Sequence, residues 1–110
     1  MKWNQLTDSN ELQKAIELSK EKPVLLFKHS TRCSISSMAL SRFERAWDTD
    51  EIEPYFLDLI VYRDISNEIA STLNVEHQSP QALLVIDGQC VHHASHTTID
   101  FKALLEHTAA

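Results

Sequence analysis

The sequence predicts an α/β fold in which a central mixed sheet is flanked by helices, and three observations carry that expectation. Amphipathic helical stretches alternate with short apolar, β-capable runs over the first two-thirds of the chain. The run Pro23-Val24-Leu25-Leu26-Phe27 is apolar at every position, the mark of a strand covered on both faces. In the last third an apolar run is followed by Asp87-Gly88 and a second β-capable run, which is the pattern of an antiparallel hairpin. A chain of 110 residues has the usual size of one domain, expected here over 1–110, and no linker or repeat interrupts it.

The elements follow in order. Lys2 to Leu6 is a possible edge strand. Thr7-Asp8-Ser9-Asn10-Glu11 supplies a helix cap and early acids, and Leu12, Ala15, Ile16 and Leu18 form one stripe of a helix over about 8–21. A strand over 23–27 follows, then a polar link from Lys28 to Arg32. From Cys33 to Trp47 the apolar residues Ile35, Met38, Ala39, Leu40, Phe43, Ala46 and Trp47 fall mostly on one helical face. Pro54 to Val61 reads as a strand, Ser66 to Leu73 as a short helix, and Ala82 to Ile86 as the strand that enters the hairpin. Gln89 to Ser95 returns, and Thr97-Thr98-Ile99-Asp100 opens a last helix with Ile99, Phe101, Leu104 and Leu105 inward and a frayed end over 107–110. The order is β-α-β-α-β-α-β-β-α, with parallel crossovers first and a hairpin second.

Composition narrows the function. Sixteen acidic residues against ten basic ones give a formal charge of -6, so no basic stripe is available to displace counterions and a nucleic-acid partner is not expected. No apolar run approaches the roughly 20 residues that span a bilayer, so no membrane association is expected. Met1-Lys2-Trp3-Asn4-Gln5 leads into polar residues where a secretory signal has an apolar stretch, which predicts a cytoplasmic protein, and a monomer is the expected state. In that compartment the two cysteines are expected as free thiols.

Cys33 is the residue with a task. A thiolate is the nucleophile of thiol-disulfide exchange, and a helix N-terminus stabilises it through unpaired N–H groups and the positive end of the helix dipole. Lys28 and Arg32 add positive charge nearby in sequence, and the first acid downstream is Glu44. Most free cysteines are small buried hydrophobes, but Ser30, Thr31, Arg32, Ser34 and Ser36 make a polar surrounding that suits an exposed nucleophile better.

In layout the chain resembles the thioredoxin superfamily. The segment Lys28-His29-Ser30-Thr31-Arg32-Cys33-Ser34-Ile35-Ser36 resembles, within it, the monothiol bacilliredoxins, and the likeness runs over nearly the whole chain. The family's active site reads Thr-x-Cys-Pro-Ile-Ser; Thr31, Cys33, Ile35 and Ser36 match it, and Ser34 stands where proline is usual. Ser36 holds the place of the second cysteine of the thioredoxin Cys-x-x-Cys motif, and Phe27 holds the place of that superfamily's buried carboxylate. The resemblance therefore implies a monothiol thiol-disulfide oxidoreductase in place of a dithiol reductase. Cys33 would be catalytic, and Lys28, Thr31, Arg32, Ser34, Ile35, Ser36, Ser79 and Pro80 would form the substrate site. Ser79-Pro80 stands where the superfamily carries a cis-proline facing the nucleophile. No tightly bound cofactor is implied; bacillithiol, a cysteine-glucosamine-malate thiol, is the implied co-substrate, and S-bacillithiolated proteins are the implied partners. Its carboxylates suit Lys28, Arg32 and the helix N-terminus.

Other readings compete. A monothiol glutaredoxin would carry a glycine-rich turn before the last helix, where this chain has His96-Thr97-Thr98. A non-catalytic thiol sensor or adapter of the same fold would react once per molecule. His92, His93 and His96 look like metal ligands, but neighbouring strand residues point to opposite faces, so no metal site is expected. His29 could assist proton transfer, although a solvent-exposed loop histidine is the commoner fate. Cys90 reads as a small apolar filler of the last strand, and Trp3, Phe43, Trp47 and Phe101 as core or core rim.

Overall fold

The computed structural model describes residues 1–108, whose strands form one sheet in the order β1-β3-β2-β4-β5. The elements are β1 (Asn4–Gln5), α1 (Ser9–Leu18), β2 (Val24–His29), α2 (Ser34–Ala46), β3 (Glu53–Asp58), α3 (Arg63–Leu73), β4 (Gln81–Ile86), β5 (Gln89–Ser95) and α4 (Phe101–Glu106), with a 3₁₀ turn at His96–Thr98. β1, β3 and β2 run parallel, and β4 and β5 close the sheet as an antiparallel hairpin against β2. The parallel strands need helical crossovers, which α1 and α2 supply, whereas Asp87 and Gly88 turn the hairpin in two residues, both with positive φ (54° and 77°).

β2 is buried at all six positions and divides the core by its alternation. Val24 and Leu26 pack with Leu12, Ala15, Leu57, Ile65, Ile69 and Leu83, under α1 and α3. Leu25 and Phe27 pack with Ala39, Phe43, Ala82, Leu84, Phe101 and Leu104, under α2 and α4. On the second face Phe43 touches the rings of Phe27, Trp47 and Phe101, with centroids 5.5–5.9 Å apart, so the aromatic residues are core and core rim, as their spacing predicts.

Several boundaries differ from the sequence reading. α1 ends at Leu18 and is followed by turns up to Lys22. β2 continues through Lys28 and His29, which were expected in a link, because both side chains find polar partners inside the protein. β3 stops at Asp58, whose carbonyl accepts from Tyr62 N–H, and α3 starts at Arg63, three residues earlier than its cap-like Ser66 suggests. Thr97 and Thr98 belong to the 3₁₀ turn, α4 starts after the Asp100 cap, and Leu105 is exposed. The frayed end expected over 107–110 falls partly on 109–110, outside the described residues.

Candidate active site

β2, the central strand, ends at His29 at the C-terminal end of the parallel strands, and a turn through Ser30, Thr31 and Arg32 leads into α2. Cys33 is the N-cap of α2, with extended backbone (φ -116°, ψ 120°); its N–H donates to Ser30 O at 3.2 Å and its carbonyl accepts from Ser37 N–H at 3.1 Å. The thiol makes no capping hydrogen bond, so it stays available beside the free N–H groups of the first turn, which holds no acidic residue. Cys33 is half-buried, and Thr31, Arg32, Ser34 and Ile35 around it are exposed.

Ser36, expected at the substrate surface, is instead fully buried one turn into α2. Its hydroxyl accepts the Ser30 N–H at 3.0 Å and lies 2.8 Å from His29 Nδ1. His29 is correspondingly buried and not the exposed loop residue its polar neighbours suggest; its ring packs on Phe56. Burial pushes its imidazole below the ordinary value, against the opposing pull of Asp58 and Glu44. Ser36 and His29 thus fasten the turn before Cys33 to the first turn of α2.

Lys28 is the second correction. It was expected as a cation beside the thiol, but it points to the α3 side of the sheet and is completely buried. Its ammonium donates to Ser66 O at 3.1 Å and to His77 Nδ1 at 3.2 Å, and burial pushes its pKa down to about 8. His77 is itself held below the ordinary histidine value by burial and then by the charges of Lys28 and Arg63. The period-2 alternation of β2, extended by two residues, is the signal that places Lys28 and His29 on opposite faces.

Ser79 and Pro80 lie at the same end of the sheet as the β2–α2 turn, because Gln81 is in register with Lys28 at the start of β4. The Ser79-Pro80 peptide is cis, Ser79 is half-buried, and Pro80 O accepts from His96 N–H at 3.1 Å. Along α2 beyond the thiol, Ile35 and Met38 are 47% and 72% exposed, large apolar side chains left open next to the candidate nucleophile. Arg42, which the sequence reading passed over, lines a small pocket of about 110 Å³ with Ile35, Met38, Ala39 and Thr97.

Cys90 sits at the other end. It pairs with Val85, which pairs with Val24 at the start of β2, whereas Cys33 follows the finish of that strand. Five residues of strand separate the two levels by roughly 16 Å. Both thiols are free, Cys90 packs partly buried against the α1–α3 core, and burial pushes its thiol up. His92 stacks on His107 with centroids 4.2 Å apart, and among the described residues no group of three His, Cys, Asp or Glu side chains is placed to hold a metal. Nor is any described helix long and apolar enough to cross a membrane.

A five-stranded sheet with this order, and a cysteine capping the helix after its central strand, defines a thioredoxin-fold protein. Comparison with solved structures agrees. A thioredoxin-fold protein described as a candidate oxidoreductase is 31% identical, with a TM-score of 0.82 over 94% of this chain and 90% of its own. The thioredoxin of Malassezia sympodialis is 18% identical, with a TM-score of 0.77 over 98% of this chain and 92% of its own, and that of Fasciola hepatica 21% identical, with a TM-score of 0.69 over 94% and 93%. The last two show the fold. The model of the family "Monothiol bacilliredoxin BrxC" matches residues 4–104, and the chain belongs to that family, one of thiol redox proteins.

Proposed function

We propose that this protein removes bacillithiol from protein mixed disulfides in the cytoplasm, as a monomer acting through Cys33 alone. The observation that carries the reading is the placement of a half-buried, uncapped thiol at the N-cap of α2, with a buried serine three residues on and the other cysteine at the far end of the sheet. The Cys33 thiolate attacks the bacillithiol sulfur of the mixed disulfide, the S–S bond breaks, and the client leaves as a thiolate that takes a proton from water. Cys33 then carries the bacillithiol in a disulfide. A second bacillithiol thiolate attacks the sulfur of that bound bacillithiol, releasing the Cys33 thiolate and bacillithiol disulfide, so the two electrons come from the low-molecular-weight thiol. Ser36 cannot form an internal disulfide, which makes the external thiol necessary.

Thr31, Arg32, Ser34 and Ile35 form the rim on which the substrate rests in this reading, with Ser79 and Pro80 as its opposite wall. Ser36 serves from beneath, through its hydrogen bonds to Ser30 and His29, whereas Lys28 lies on the other face of the sheet and takes no part in the rim. The test is turnover: with a bacillithiolated reporter protein in 50-fold excess and free bacillithiol present, the reporter should be cleared completely. Release of one equivalent followed by arrest would contradict catalysis and favour a thiol sensor.

A further inference from the structure

We propose that the flank of α2 beyond Cys33 is an anion-binding shelf, on which Arg42 and Arg45 receive the carboxylates of the small thiol linked to Cys33. The proposal rests on the reading of Cys33 as the exchange nucleophile and names the residues that select an acidic small thiol over a neutral one.

The shelf begins at Ile35, two residues beyond Cys33. The pocket lined by Ile35, Met38, Ala39, Arg42 and Thr97 shares Met38 and Arg42 with an adjoining shallow groove that Ser37, Ser41 and Arg45 complete. Nine residues of helix separate Cys33 from Arg42, a rise of about 13.5 Å. Nine residues are also two and a half turns, so Arg42 leaves the helix on the side away from Cys33, and a thiol linked to Cys33 reaches the guanidinium only by crossing over Ile35, a span on the order of the helix rise itself.

The charges on this flank are uncompensated. Arg42 Nη2 donates to Ile99 O at 3.0 Å and Thr97 O at 3.4 Å, which fixes the guanidinium plane and leaves the hydrogens on Nη1 and Nε free. Arg45 Nη1 donates to Ser41 Oγ at 3.3 Å. Among the described residues the ion pairs engage Lys14, Lys20 and Lys22, and no carboxylate lies within 4 Å of either arginine. Glu44 accepts the indole N–H of Trp3 at 2.8 Å on the other flank of α2, and Asp100 caps α4, its Oδ2 accepting the Ala103 N–H at 3.2 Å. Two unpaired arginines in a chain of net charge -6, beside an apolar floor and two serine hydroxyls, present the fork-shaped donors that carboxylates match. Lys28, the cation the sequence put forward for this purpose, is buried on the opposite face of the sheet.

The test compares two mixed disulfides on the same reporter protein, one with bacillithiol and one with the neutral thiol β-mercaptoethanol. Arg42→Gln and Arg45→Gln should each lower kcat/KM for the bacillithiol disulfide about three- to tenfold more than for the neutral one, and added salt should shrink that difference. Arg42→Lys should recover part of the loss. Arg45→Gln breaks only one bond within its own helix, so it remains informative if Arg42→Gln loosens the 3₁₀ turn. Equal losses on both disulfides, or no loss on either, would overturn the shelf, as would a wild-type protein that consumes both disulfides equally well. A wild-type protein that consumes neither would instead overturn the thiol-exchange reading.

Discussion

Ser36 Oγ lies 2.8 Å from His29 Nδ1 while accepting the Ser30 N–H at 3.0 Å, so one buried hydroxyl joins the end of β2, the turn before the nucleophile and the first turn of α2. A hydroxyl has two acceptor sites and one donor, and both contacts fit that capacity whichever ring nitrogen of His29 carries the proton. Ser36→Ala strands the Ser30 N–H and the His29 nitrogen in a site closed to water. The expected cost is about 1–3 kcal/mol, read as a lower urea midpoint with an unchanged slope. An unchanged midpoint would show that the serine does not hold the turn.

Lys28 gives stability a pH dependence whose sign is fixed by burial. Its pKa is about 8 in the folded protein against an ordinary 10.5, so between these values the unfolded chain binds more protons than the folded one. Its contribution to stability therefore rises as the pH climbs from about 8 to 10.5, and below 8 the cost of burying the ammonium is present in full. Denaturant titrations across that window should show the rise in the wild type and a flatter profile in Lys28→Met. Parallel profiles would place the ammonium in contact with water.

Gly88 is the one glycine of the chain and stands at φ +77° in the β4–β5 turn, with open space where a Cβ would project. Gly88→Ala meets no clash, so its cost is that of the left-handed backbone alone, about 1–2 kcal/mol. Thermal unfolding should show a drop of several degrees, on the order of 4–8 °C per kcal/mol for a chain of this size. No drop would mean that the hairpin turn relaxes to another type.

The hairpin and the central place of β2 were legible because Asp87-Gly88 and the uniformly apolar run from Val24 to Phe27 are local signals. The place of Cys33 was legible too, since a cysteine with polar flanks ahead of an amphipathic stretch marks a helix start. What the sequence concealed was the fate of polar side chains beyond Phe27. Lys28, His29 and Ser36 read as surface, yet each is buried because its partner is distant in the chain or on another element: Ser66 and His77 for Lys28, and Ser36 itself for His29. Arg42 was overlooked for a related reason, as its significance lies in the Ile99 and Thr97 carbonyls more than fifty residues away.

Cys90→Ser should retain the de-thiolation rate, because Cys90 faces the α1–α3 core at the opposite end of the sheet and contributes only packing there. A change of more than about threefold, beyond the RT-scale effect expected of one partly buried thiol, would give Cys90 a part in the reaction.

The most direct measurement is intact mass and peptide mapping of the protein after one equivalent of bacillithiolated reporter, with no free thiol present to resolve the product. A disulfide requires Cα atoms within about 7 Å, far less than the separation of the two cysteines. Wild type and Cys90→Ser should each gain the mass of one bacillithiol on the peptide that carries Cys33, and Cys33→Ser should gain none. An internal Cys33–Cys90 disulfide in the folded monomer, or bacillithiol recovered on Cys90, would contradict the single-thiol mechanism.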